Sequence, residues 1–390
     1  MVIDRLDIRA RLASDLAYYP CVGLVGARQV GKTTLAREIA VAHAGPSRYL
    51  DLQLPSNRQL LTDAEAYLRR HADALVLLDE IQTMPQVFPV LRGLIDEDRR
   101  PGRYCILGSA APELLRSTAE SLAGRIGYTE LAPLGLGELP AGADIEEHWL
   151  RGGYPVAYLT DDPARRRRYF DDYLQTFVGT DLRDLAGGTD PEGMRRLIMM
   201  LAHEQGNLLN QSRLARGLGV ATTTVQRYLD ILEAAFLVRA VRPYLPNLGK
   251  RLVKSPKVYL RDTGFLHGLL RIETLDDLLT HPVVGQSWEG YVGEQLRRGL
   301  GAGIELYHYR SARGHELDYV CEHPRLGRLA FEIKRSNAPT LSKSFWTAVE
   351  DVGADVTYVV SPSVERHPLG EGVEGIGVSE VLASVSDQRL

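Results

Sequence analysis

An α/β protein that opens on a parallel sheet is what three features of this 390-residue chain predict. Short apolar runs suited to buried strands alternate with stretches whose apolar residues fall at helical spacing, the pattern of strand-helix-strand units. At the first such junction, Gly26-Ala27-Arg28-Gln29-Val30-Gly31-Lys32-Thr33 fits G-x-x-x-x-G-K-[ST] at every fixed position. Toward the C-terminus, Glu316-Leu317-Asp318 and Glu332-Ile333-Lys334 bracket a turn-forming stretch, the mark of a second, separate α/β unit.

The first element is a strand over Cys21 to Val25, and Thr34 to Ala40 carries apolar residues at helical spacing, so the glycines fall at a strand-to-helix turn. Gly26 and Gly31 let the backbone turn tightly and bring its N–H groups to phosphate oxygens at the positive end of the helix. Lys32 supplies a point charge for the β- and γ-phosphates, and Thr33 a hydroxyl for Mg2+. Ala27, Arg28, Gln29, Val30 and Thr34 complete the expected phosphate cradle, a Walker A loop binding ATP.

Tyr49 to Leu52 is a further strand, and Ala74 to Asp79 is an apolar run that ends in Asp79-Glu80. A strand buried on both faces with acids at its tip carries them to the nucleotide. Asp79 can then share the Mg2+ shell with Thr33, while Glu80 polarises a water for attack on the γ-phosphate. Residues 88 to 95 form a helix, and Tyr104 to Ser109 a third apolar strand, whose Ser109 hydroxyl could sense the γ-phosphate. Arg125, in Ser121-Leu122-Ala123-Gly124-Arg125, is either an arginine finger, within the chain or across a subunit interface, or an ordinary ion-paired side chain. A finger acting in trans would require a homo-oligomer.

Composition narrows the class. With 44% hydrophobic and 25% charged residues the chain is of the soluble globular type, and its length predicts two to four domains. The net charge of −4 argues against a uniformly basic nucleic-acid binder, although a local basic face is compatible with it. Cys21, Cys105 and Cys321 are too scattered for a disulfide framework or a zinc site. The N-terminus lacks a signal-peptide apolar region and no run of apolar residues is long enough to span a membrane, so no membrane association and a cytoplasmic location are expected.

From about Ala141 strand-like runs cease, and Tyr169 to Phe177 has helical spacing, the sign of a lid or connector. Its Arg165-Arg166-Arg167-Arg168 run is either a phosphate contact or a solvated helix face. Further on, residues 212 to 218 and 222 to 232 form two helices separated by Gly219-Val220, a helix-turn-helix. Strands over 236 to 241 and 257 to 260 flank Lys250-Arg251-Leu252-Val253-Lys254, a candidate basic wing. Thr222, Thr223, Thr224, Gln226 and Arg227 would then face a nucleic-acid groove, or the whole unit serves packing alone.

In the last block Glu316 to Val320 alternates as a strand, Glu322 to Arg328 forms a hairpin turn, and Leu329 to Lys334 returns. Alternation places Glu332 and Lys334 on one face, where the hairpin can set Asp318 beside them. The upstream helix of Trp288, Tyr291, Val292 and Leu296 adds Glu289. Glu289, Asp318 and Glu332 could therefore bind Mg2+ while Lys334 steadies water or a scissile phosphate. Glu-x-Lys fourteen residues after Asp318 has the spacing of the PD-(D/E)xK nuclease core.

With these motifs in place, the chain resembles a broad family of prokaryotic P-loop ATPases of the AAA+ type, related to the archaeal ATPases. Leu77-Leu78-Asp79-Glu80-Ile81-Gln82, Gly108-Ser109, Gly152-Gly153-Tyr154-Pro155 and Trp288-Glu289 carry the resemblance alongside the motifs above. It implies a P-loop AAA+ ATPase domain over 1–140, a helical connector over 141–195, a winged helix over 196–275 and a restriction-endonuclease-like domain over 276–390. Ala27 departs from the proline often found there, which touches loop rigidity and leaves the phosphate contacts intact. The implied activity is Mg2+-dependent ATP hydrolysis acting on, or regulated by, nucleic acid, DNA ahead of RNA. The alternative is a nucleotide-gated switch or scaffold whose inactive last domain recruits a protein.

Overall fold

The computed structural model describes residues 3–109, 122–185, 187–245, 252–301, 303–336, 338–362 and 364–386. Ser121, Lys250 and Arg251 lie outside these residues, as does the side chain of Ser109.

Five strands, β1 (Cys21–Gly26), β2 (Ser47–Asp51), β3 (Leu75–Asp79), β4 (Tyr104–Ser109) and β5 (Ile126–Glu130), form a parallel sheet in the order β2-β3-β4-β1-β5. Every residue of β1 and β3 is buried, which explains their unbroken apolar runs: both faces of a parallel sheet are covered. Helix Leu6–Tyr18 and helix Lys32–Ala42 contribute Leu12, Leu16, Leu35 and Ile39 to one covering layer, while helix Val87–Glu97 packs Phe88, Leu91 and Ile95 into the other. Helix Leu6–Tyr18 and β5 are additions to the sequence reading. The strand was hidden because Gly127 and the 39%-exposed Tyr128 interrupt any apolar run.

A largely helical segment follows. Helix Pro163–Thr176 runs into a π-helical turn, Phe177–Asp181. Three helices, Pro191–His203, Gln211–Leu218 and Thr222–Ala234, precede an antiparallel pair, β6 (Val238–Val241) and β7 (Lys257–Leu260). The turn between the second and third helices works because Gly219, at φ 69°, caps the second in a left-handed conformation.

The last unit is a mixed six-stranded sheet ordered β12-β13-β11-β10-β9-β8, from β8 (Tyr307–Arg310), β9 (Glu316–His323), β10 (Gly327–Ile333), β11 (Val356–Ser361), β12 (His367–Gly370) and β13 (Val373–Gly377). The β9–β10 hairpin pairs Phe331 with Tyr319, so one step further Glu332 comes opposite Asp318. Helices Val284–Leu300 and Val378–Ser386 pack together beside this sheet, and helix Lys343–Val352 supplies Phe345, Ala348 and Val352 to a separate core with Leu317, Val320 and Val359.

Candidate nucleotide site and C-terminal carboxylate cluster

β1 delivers the chain into the loop at Gly26, whose φ of 151° no side chain readily adopts and where a Cβ would stand 2.1 Å from the Leu131 carbonyl oxygen. Gln29 (φ 61°) and Gly31 (φ 98°) then turn left-handed, wrapping the loop onto the start of helix Lys32–Ala42. No side chain caps that helix, so the positive end is offered to an anion. Lys32 is buried, and its Nζ donates to the carbonyls of Gly26 (2.9 Å) and Ala27 (2.7 Å). Burial pulls this ammonium down to about 8 against the opposing pull of Glu80 and Asp79.

Asp79, at the buried tip of β3, accepts on Oδ2 from Thr33 Oγ1 (2.7 Å) and the Tyr49 hydroxyl (2.6 Å), and on Oδ1 from the Glu80 N–H (3.0 Å). Tyr49 comes from β2, where Asp51 and Asp79 are in register. Burial and the Asp79 carboxylate push its hydroxyl well above the usual range, which keeps it a donor. Tyr49 escaped the sequence reading, though strand alternation from Asp51 marks it. Glu80 sits in the left-handed region at φ 55°, strain of about 1–2 kcal/mol for a residue with a Cβ, and Gln82 Nε2 donates to its carboxylate. Thr34 is exposed on the first helical turn, and Ser109 ends β4 in register with Gly26.

Two arginines of this domain are held by acids. Arg28, within the loop, pairs at 2.5 Å with the buried Asp181 of the π-helical turn. Arg125 makes a two-pronged pair with Asp96 of helix Val87–Glu97, 2.8 Å on each side, and donates to Ala123 O. The structure thus gives Arg125 an intramolecular partner, and a finger role would require that pair to open.

The second cluster gathers six residues: Glu289, Asp318, Glu332 and Lys334, which were predicted, and Lys257 and Tyr259, which were overlooked. Glu289 and Asp318 do approach each other, and between them stands Lys257, the first residue of β7, with Nζ 2.7 Å from Glu289 Oε1 and 3.2 Å from Asp318 Oδ1. Tyr259, on the same face of β7, also donates to Glu289 Oε1. Asp318 Oδ2 accepts from the Ile333 N–H at 2.9 Å. Glu332 Oε1 pairs with Lys334 Nζ at 2.6 Å, while its Oε2 is buried without a hydrogen-bond partner. Burial, then the neighbouring Asp318 charge, pushes the Glu289 carboxyl up to about 7 and that of Glu332 to about 8.

This departs from the expected Mg2+ site at Glu289, Asp318 and Glu332. Among the described residues no group of three or more His, Cys, Asp or Glu side chains is arranged to hold a metal ion. An ammonium occupies the gap between two of the acids, and Lys334 is spent on the third rather than left for water or phosphate. The residues as placed do not fit a divalent ion. Lys257 was overlooked because an apolar strand opening on a lysine ordinarily means a solvated end.

Comparison with known proteins places these sites in a family. Over 391 residues the chain is 40% identical to the uncharacterized protein Rv2008c of Mycobacterium tuberculosis, covering 100% of this chain and 87% of the relative. Mb2031c of Mycobacterium bovis matches to the same extent. The chain belongs to the family of these mycobacterial proteins. An uncharacterized protein of Haemophilus influenzae is 23% identical over 330 residues, 73% of this chain and 76% of that protein. Residues 18–139 match an AAA domain, residues 142–276 a domain of unknown function (DUF8612) and residues 284–381 another (DUF4143). Among solved structures, the Walker-type ATPase PABY2304 of Pyrococcus abyssi aligns with TM-score 0.48 at 15% identity, over 69% of this chain and 96% of that one. AMPPCP-bound DnaA from Aquifex aeolicus gives 0.30 at 14%, over 59% and 88%.

The first block of this family member is therefore an AAA-type domain, and its loop geometry suits nucleotide binding. In the DUF8612 segment, Thr222, Thr223, Gln226 and Arg227 are exposed on the second helix of the helix-turn-helix and Thr224 is half-buried. Gln226 is engaged by Gln211 and Asp230. Within the four-arginine run, Arg166 is buried against the carbonyls of Thr160 and Asp161 and Arg167 pairs with Glu273, while Arg165 and Arg168 are exposed beside Asp162 and Asp172. Among the described residues no helix is long and apolar enough to cross a membrane.

Proposed function

We propose that this protein hydrolyses ATP at the Gly26–Thr33 loop and couples the nucleotide state to the domains that follow. The observation that carries the reading is the meeting of Thr33, Tyr49 and Asp79 within 2.7 Å, next to a strained Glu80. Thr33 and Asp79 are an oxygen donor set that suits Mg2+, which when bound would neutralise phosphate charge. The loop N–H groups and the helix start orient the phosphates, and Lys32 leaves the Gly26 and Ala27 carbonyls to meet them. Glu80, steadied by Gln82, takes the proton of the attacking water.

For the remainder we take the blocks 1–140, 141–195, 196–275 and 276–390 as working domains, the third a winged helix facing nucleic acid through Thr222, Thr223 and Arg227, the fourth a nuclease-like unit. The pairing of Lys257 with Glu289 and Asp318 favours, for that fourth unit, a switch or scaffold over a cutting enzyme. All three cysteines are buried thiols, in keeping with the cytoplasm as the compartment we propose.

Turnover of purified protein with and without DNA or RNA tests both halves. Glu80→Gln is expected to bind ATP with wild-type affinity and lose at least 100-fold in kcat; wild-type turnover in that variant removes Glu80 as the base. A rate unchanged by any nucleic acid, with no salt-dependent binding, removes the nucleic-acid partner.

A further inference from the structure

We infer that Lys257 is the resident cation of the C-terminal carboxylate cluster, a built-in counter-ion that latches this unit to the preceding hairpin and takes the position a divalent ion would need. The cluster holds three carboxylates and two ammonium groups: Glu289, Asp318 and Glu332 against Lys257 and Lys334. Lys257 is only 7% exposed along its side chain, and Glu289 and Asp318 are 13% and 11% exposed, so bulk water screens this contact poorly. A buried pair of carboxylates stays fully ionised only with a counter-charge between them, and a divalent ion or an ammonium can play that part. The sequence supplies the ammonium from another domain.

The fit is positional as well as electrostatic. β7 starts at Lys257, and alternation puts Lys257 and Tyr259 side by side, so both reach Glu289 on helix Val284–Leu300. The remaining lone pairs are largely assigned: Asp318 Oδ2 to the Ile333 N–H, Glu332 Oε1 to Lys334. Among the described atoms of this cluster Glu332 Oε2 lies buried without a partner, an acceptor that could serve a metal if Lys257 withdrew. Arg261, the residue that follows β7, pairs with Glu130 of the AAA-type domain. The latch thus lies on the short segment, β7 and the residue after it, that touches both outer units.

The test is a titration of nucleotide-free, full-length protein with Mn2+, read by electron paramagnetic resonance. Wild type and Asp318→Asn should give superimposable curves, because no ion binds at the cluster. Lys257→Ala should gain one additional Mn2+ per chain at least tenfold tighter than any wild-type site in this region, and the Lys257→Ala, Asp318→Asn double variant should lose it. A wild-type Mn2+ site abolished by Asp318→Asn overturns the inference, as does a folded Lys257→Ala that gains nothing. Should Lys257→Ala not fold, thermal melts of wild type decide: the same melting temperature in EDTA and in Mn2+ supports the latch, and a metal-dependent rise that Asp318→Asn removes refutes it. Metal-dependent DNA cleavage lost in Asp318→Asn would refute it equally.

Discussion

At the scale of single residues, the loop glycines do different work although the motif writes them alike. Gly26 faces the Leu131 carbonyl at a distance no Cβ can share, whereas around Gly31 a Cβ would meet nothing within 4 Å. Gly26→Ala should therefore cost about 3–5 kcal/mol, strain and clash combined, and Gly31→Ala only the left-handed strain of about 1–2 kcal/mol. Thermal melts should show the first variant losing its folded AAA-type domain and the second retaining it. Equal losses would mean that β5's approach to the loop is not what Gly26 serves. The motif was fully legible in the sequence because its requirements are local. Tyr49 and Lys257 were not, since each matters through a partner brought by another strand or domain, and a single side chain in an apolar strand carries no mark of that.

At the scale of elements, helices Ile145–Arg151, Thr263–Leu269 and Val284–Leu300 meet on a buried polar chain. Trp149 Nε1 donates to Ser287 Oγ at 2.9 Å, and His267 stands 2.8 Å from Ser287 through Nε2 and 2.9 Å from the Leu150 carbonyl through Nδ1. A carbonyl accepts only, so Nδ1 carries a proton, and Nε2 of the neutral ring can accept from the Ser287 hydroxyl. Burial pulls the His267 ring down from 6.5 to about 4. The folded protein therefore binds this proton more weakly than the unfolded chain, and its stability contribution is complete above pH 6.5 and lost as the pH falls toward 4. Between pH 7 and pH 5 that loss is about 2 kcal/mol. The stability gap between wild type and His267→Gln, followed by denaturant titration, should narrow by that amount over the same interval. A constant gap would detach His267 from acid lability. Of these helices the sequence reading found only the one carrying Trp288, Tyr291, Val292 and Leu296, and Trp149, His267 and Ser287 are far apart along the chain, which is why the link between them stayed hidden.

Across the whole molecule, a buried ion network joins the first sheet, the β6–β7 pair and helix Val284–Leu300 of the last unit. Arg261, 6% exposed along its side chain, reaches Glu130 at 2.5 Å and Glu294 at 3.2 Å, and Arg239 holds Glu294 from the other side. Burial raises the Glu294 carboxyl, but Arg239 and Arg261 outweigh it and hold the group well below the usual carboxylate range. Removing one member strands a buried charge, so Arg261→Met should cost about 3–5 kcal/mol, and adding Glu294→Gln should restore part of it. If the double variant is no better than the single one, the network is not a unit. None of this was legible: the acids at 130 and 294 gave no sign of a shared arginine.

The six residues from Lys257 to Asp262 have a bearing on how such a protein can evolve and be dissected. Lys257 and Tyr259 address Glu289, Arg261 addresses Glu130, and Asp262 accepts from the Gly153 N–H at 2.7 Å. One short segment thus signs for three neighbours in turn. A module bound to its neighbours in this way is inherited with them, because a replacement from another lineage would need all four signatures in the same alternation. Excising the last unit at residue 276 would likewise present a cluster of acids without its lysine, so its behaviour in isolation would describe a different molecule.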